Sequence, residues 1–412
     1  NMTDFFDELE TRTSAEREQA VIKAVANQVA HAKANAPAYA KFLENIDPTS
    51  ITSSKDIAAL PITRKSELIE LQKLNKPFGG LAAVNGSDLT HIFASPGPIY
   101  EPGTKKEDFA RFARSLYAAG FRSGEVAQNC FSYHFTPAGI MFDSGAHALG
   151  CAVIPAGTGQ TELQVQTITD LKPDSYIGTP SFLKIILEKA EQLGSDVSSI
   201  TKALVTGEAL PPSVRNSFSE KGISVYQCYS SADLGLIAYE SSAKEGLIID
   251  EGIYLEIVRP GTGDPVADGD VGEVVVTSLN SEYPLIRFAT GDLSAIMEGQ
   301  SPCGRTNKRI KGWMGRADQT AKVRGMFIHP EQVDKVIKRH SEITKARLVV
   351  EWKDEKDQLT FKCETDQASD ELNSKICDSI RQVCKIRGEV EFVNIGSLTN
   401  DGTVIEDARK YD

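Results

Sequence analysis

Tyr283–Gly325 reads YPLIRFATGDLSAIMEGQSPCGRTNKRIKGWMGRADQTAKVRG. Gly291 permits a tight turn and leaves the Asp292 carboxylate free beside it. An ionised carboxylate has two acceptor oxygens, enough for both hydroxyls of a ribose. Arg316, beside Gly315, adds guanidinium donors for sugar or phosphate oxygens. A second basic segment, with Lys322 and Arg324, follows shortly. The stretch thus gathers one acid and several cations around a single ligand.

The runs PLIR-x-x-T-G-D and CGRT-x-x-R-I-x-G-x-x-GRAD, with the following RG, resemble the signature of adenylate-forming enzymes, specifically the phenylacetate–CoA ligase family. Upstream, GCAVIPAGTGQTELQVQTITDLKPDSYIGTPSFL is similar to that family too, so the resemblance spans nearly the whole chain. It implies an α/β fold. A large, multi-layered N-terminal AMP-binding domain (1–317) would have sheets flanked by helices and a small β-rich subdomain. A smaller, mobile α+β domain (318–412) would follow, with Asp318 as the hinge. The implied reaction joins an aryl or small organic acid to CoA, consuming ATP and releasing AMP and pyrophosphate.

The chain has 412 residues and a net charge of −12. That balance argues against nucleic-acid binding, which needs a basic surface, and against docking on anionic membranes. A local basic pocket would still accept ATP or CoA. Seven scattered cysteines, an odd number without a CxxC, suit a reduced cytoplasmic compartment. No signal peptide or long apolar run is read, and Asn1 before Met2 is read as a tag remnant. The resemblance is compatible with a homodimer.

Apolar spacing predicts helix from residue 4 to about 46, closed by Pro37. Residues 107–190 alternate helix and strand, beginning with a helix over EDFARFARSLYAAGF, which indicates a layered sheet. Residues 237–282 read as β-rich, and the C-terminal hundred residues as strands with two helices.

The resemblance places the remaining candidates. Tyr133, His134 and Gly139 fall at the start of a helix lining the acyl pocket. His134 is also readable as a structural hydrogen-bonding residue. Gly207, Glu208 and Ala209 would lie along adenine. Tyr229 would stack on it, with Ser230 and Ser231 beside the phosphate. Asp233 replaces the family's glutamate as the magnesium ligand. Arg309 belongs to the signature, and Lys322, Arg324 and Gly325 would approach CoA.

Three departures matter. The phosphate loop SPGPIYEP (95–102) carries Glu101 where the family has lysine, and two of its prolines remove N–H donors. Lys105 and Lys106 are readable as substitutes or as surface residues. Thr403 stands where the family's C-terminal catalytic lysine is expected. Of the family's zinc cysteines and histidine only Cys303 remains, and one thiol cannot make a four-ligand site, so no zinc is expected. Two readings stay open: a ligase with a degenerate site, or a relative that binds an acyl-adenylate, aryl acid or nucleotide, or performs only thioester formation.

Overall fold

Strands of a nine-stranded sheet alternate with helices through the middle of the chain, as a layered α/β fold requires. The computed structural model describes residues 4–410; the tag reading of Asn1 lies outside them. The chain forms two units. One comprises Asn1–Leu255, Val276–Phe288 and Met297–Gly312; the other Glu256–Val275, Ala289–Ile296 and Trp313–Asp412.

In the first unit, Val126–Asn129, Ala152–Ile154, Ser175–Gly178, Lys202–Val205 and Ser224–Ser231 pair in parallel. Gly235–Tyr239 then adds antiparallel to Ser224–Ser231. Tyr176, Ala203 and Val205 enter one apolar cluster with Leu183, Ile186 and Phe218. Their neighbours Ile177 and Leu204 enter another with Phe112, Phe121 and Phe142. Successive strand residues point to opposite faces, so helices cover both sides of the sheet.

The N-terminal helix Ser14–Asn35 starts at a capping box between Thr13 and Glu16. It buries Ile22, Val25, Val29 and Ala32 along one stripe. The expected single helix instead breaks at extended Ala36, because Pro37 opens a second, short helix, Pro37–Phe42. The helix expected from residue 107 begins only at Phe112. Asp108 and Arg111 adopt left-handed φ of 51° and 66°. Arg111 reaches to the buried Asp250 at 2.8 Å and to the carbonyls of Leu234 and Leu236.

In the second unit, helices Pro330–Lys338 and Asp370–Cys384 contribute to one core with a four-stranded sheet. Lys345–Lys353 and Lys356–Glu364 form its centre, and Ile405–Asp407 and Glu389–Val393 its edges. Ala321–Val323 and Met326–Ile328 make a separate hairpin. Among the described residues, no helix is long and apolar enough to cross a membrane.

Candidate active site

The run expected to be a phosphate loop through Pro102 is mostly strand. Leu89–Ser95 and Ile99–Thr104 form an antiparallel pair, turning at residues 96–98. The Gln72 side chain clamps this hairpin: its amide donates to Tyr100 O and accepts from Tyr100 N, both at 2.9 Å. Glu101 faces Phe93 in the register and is 2% exposed. It therefore points into packed protein, not out from an open loop.

Ser95 Oγ donates to Glu101 Oε2 at 3.0 Å. Burial, then the nearby Asp233 carboxylate, pushes the Glu101 carboxyl up to about 8; Ser95 and Lys65 pull the other way. Asp233 accepts from Ser231 Oγ at 2.5 Å, and its Oδ2 has no hydrogen-bond donor among the described residues. Lys65 Nζ lies 3.4 Å from that oxygen. Lys105 and Lys106 are exposed in the bend that follows the hairpin. The buried Tyr283 hydroxyl also has no hydrogen-bond partner among the described residues. Burial, then Asp233 and Glu101, hold it well above the ordinary phenol range. Lys65 escaped sequence reading because PITRKSE carries no motif around it.

The signature stretch is zipped by backbone. Leu293 N donates to Gly315 O, Met314 N to Leu293 O and Ala317 N to Gly291 O, at 2.7–2.8 Å. This ladder seats Arg316 Nη1 2.8 Å from Asp292 Oδ1. Trp313 Nε1 donates to the same oxygen at 3.2 Å. The sequence places Asp292 and Arg316 within reach of one ligand, and the structure pairs them directly; Trp313 carries no sequence signal, because it occupies a variable position of the signature.

Other candidates hold local roles. Glu208, exposed beyond Lys202–Val205, accepts from Ser181 Oγ at 2.7 Å. Gly207 takes a φ of +88° that favours glycine. Ala209 is exposed, while Tyr229 and Ser230 are half-buried at the end of Ser224–Ser231, flanking a register shift. Asn129 Nδ2 donates to Tyr133 Oη at 2.9 Å, and His134 is exposed with its ring edge-on to Phe135. A Cβ on Gly139 would meet Ser132 O at 2.6 Å, so a side chain there is excluded.

Arg309 is buried, its guanidinium on the carbonyls of Glu245, Glu298 and Gly299. Asp318 is exposed and accepts from Thr320 Oγ1. Arg324, at φ +50°, bonds Asp357; Gly325 closes the same turn; Lys322 lies over the Phe327 ring. Thr403 N donates to Asp401 Oδ1 at 2.9 Å. Cys303 contacts Ser301 and Arg305, and no group of three His, Cys, Asp or Glu able to hold a metal occurs among the described residues.

A family model described as AMP-binding enzyme matches residues 107–280, and one described as AMP-binding enzyme C-terminal domain matches 325–405. The chain is 32% identical over 354 residues to the phenylacetate-coenzyme A ligase of Aromatoleum evansii, covering 82% of this chain and 79% of that one. It is 30% identical over 395 residues to that of Escherichia coli K12, covering 89% of each. A 2-hydroxyisobutyryl-CoA ligase structure with 2-HIB-AMP and CoA superposes with a TM-score of 0.72 at 24% identity, over 99% of this chain and 93% of that one. At that identity the likeness concerns the fold.

Proposed function

Because this chain belongs to the phenylacetate–CoA ligase family of AMP-binding enzymes, we propose that it is an AMP-forming acid–thiol ligase for an aryl or other small organic acid. In the first half-reaction the acid's carboxylate oxygen attacks the α-phosphorus of ATP. The bond from that phosphorus to pyrophosphate breaks, and pyrophosphate leaves. In the second, the CoA thiolate attacks the acyl carbon, and AMP departs with the bridging oxygen. The observation that carries this reading is the Asp292–Arg316 pair, held at 2.8 Å inside the signature run of a chain that aligns over most of its length.

Asp292 would accept the ribose hydroxyls and Arg316 would donate to sugar or phosphate oxygens. Tyr229 would offer its ring to adenine, with Gly207, Glu208 and Ala209 along its edge and Ser230 and Ser231 toward phosphate. Tyr133, His134 and Gly139 would bound the acyl pocket. Lys322, Arg324 and Gly325 would meet CoA, after the 318–412 domain turns about Asp318. Action as a cytoplasmic homodimer belongs to the same proposal.

A magnesium ion, implied by the family, fits the donor set in one respect. Asp233 Oδ2 is a buried carboxylate oxygen without a hydrogen-bond donor among the described residues, and magnesium takes one or two carboxylates with phosphates and water. Bound there, it would neutralise phosphate charge.

The first half-reaction is weakened, because phosphoryl chemistry depends on placed positive charge. Glu101 and Thr403 stand at both lysine positions. Buried Glu101 favours the second reading in that respect: a chain that binds a preformed adenylate and completes only the thioester. Pyrophosphate release with a panel of aryl acids tests the first reading. Slow, acid-dependent release supports it. Thioester formation from supplied acyl-adenylate, without pyrophosphate release from ATP, selects the second. No AMP binding by calorimetry overturns both.

A further inference from the structure

Asp292 Oδ1 accepts from two donors of unequal standing. Arg316 Nη1, at 2.8 Å, carries charge. Trp313 Nε1, at 3.2 Å, is neutral and at the long end of a hydrogen bond. Arg316 is fixed by the ladder joining residues 291–293 to 314–317. It is also packed against the turn, since a Cβ on Gly291 would come 2.6 Å from Arg316 Nη2. Trp313 lies just outside that ladder, between Gly312 at φ +95° and Gly315 at φ +124°. Trp313 is 61% exposed, so much of a large apolar side chain stays in water. An indole has one donor and no acceptor, and here that donor rests on the carboxylate.

We propose that Trp313 is a displaceable occupant of the ribose carboxylate, and thereby a positioning residue that sets nucleotide affinity. The inference rests on the proposed ribose role of Asp292. Two vicinal hydroxyls need acceptor positions on that carboxylate. The anchored guanidinium remains as they arrive, and the indole N–H gives up Oδ1. Nucleotide binding therefore moves Trp313, and its donor competes with ribose until then.

The chain has two tryptophans, so Trp352→Phe leaves Trp313 as the only indole emitter. AMP is titrated into this variant, into Trp313→Phe and into the unmodified protein, by fluorescence and by calorimetry. Trp313 emission is expected to change along the calorimetric isotherm. Trp313→Phe is expected to bind AMP roughly fivefold tighter, the net worth of one hydrogen bond. Calorimetric binding without an emission change from Trp313 overturns the proposal, as does equal or weaker affinity in Trp313→Phe, while the ribose role of Asp292 stands. Absence of AMP binding in all three proteins overturns that role and the Trp313 inference together.

Discussion

Lys65 Nζ stands 3.4 Å from Asp233 Oδ2; the lysine side chain is 36% exposed and the aspartate side chain 1%. This cation offsets a buried acidic cluster that also contains Glu101. Lys65→Met leaves the Asp233 carboxylate buried without it. Breaking a buried pair costs about 3–5 kcal/mol and an exposed one at most about 1. Partial exposure of Lys65 places the expected loss at about 1–2 kcal/mol, read as a lower urea midpoint at pH 7. An unchanged midpoint would mean that water already screens the pair.

Glu101 gives the fold a pH dependence with a definite sign. Its carboxyl is raised from an ordinary 4.5 to about 8 in the folded chain. Below 4.5 both folded and unfolded chains hold the proton, and the contribution is complete. Between 4.5 and 8 only the folded chain holds it, so stability falls as pH rises, by at most about 1.4 kcal/mol per unit. Above 8 the loss is finished. Glu101→Gln keeps a neutral side chain throughout. Denaturation from pH 5 to 8 should find the unmodified protein losing stability relative to this variant; parallel curves would refute the raised carboxyl.

Much of the fold is legible in local pattern. Parallel strands such as Ser175–Gly178 are short apolar runs between turn residues, and Ser14–Asn35 carries its buried stripe openly. The departures came from distant partners. The Tyr100 backbone is strand because Gln72 clamps it, and Arg111 leaves helical geometry because Asp250 holds its guanidinium. Neither partner is near in sequence. Asp292 and Arg316 are legible because glycines mark their turns. Lys65 is not, because its meaning depends on Asp233, 168 positions away (233 − 65).

The Asp292–Arg316 pair separates binding from stability. Its side chains are 18% and 55% exposed, so the pair itself adds little to folding. Asp292→Asn removes the charged acceptor proposed for ribose. Hydrogen bonds to charged groups are worth about 1.5–3 kcal/mol, so AMP affinity should fall at least about tenfold. The melting temperature should move by no more than about 2 °C. Calorimetry and a thermal scan on one preparation check both halves. Unchanged affinity would remove Asp292 from the nucleotide site.

Thr403 offers a cleaner place to introduce a lysine than Glu101. The turn around it is held without its side chain. Gln319 Nε2 donates to Gly402 O at 2.9 Å, Val404 N to Gln319 Oε1 at 2.6 Å, and Asn400 Nδ2 to Gly269 O at 3.0 Å. Arg347 adds an ion pair with Asp401 at 2.5 Å. Thr403 is half-buried beside a cavity of about 180 Å³ that Asp270 and Asp334 also line. A lysine there has space, nearby carboxylates and water for its ammonium group. Glu101→Lys would instead insert a cation into a packed strand position that is 2% exposed, with an expected cost of several kcal/mol. Thr403→Lys should therefore fold with its melting temperature nearly unchanged. Pyrophosphate release should rise by about tenfold or more, because charge placed at the developing oxyanion is worth about 3 kcal/mol in comparable sites. A well-folded Thr403→Lys chain with no faster release would mean that adenylation is limited elsewhere, with the hairpin that carries Glu101 the next place to test.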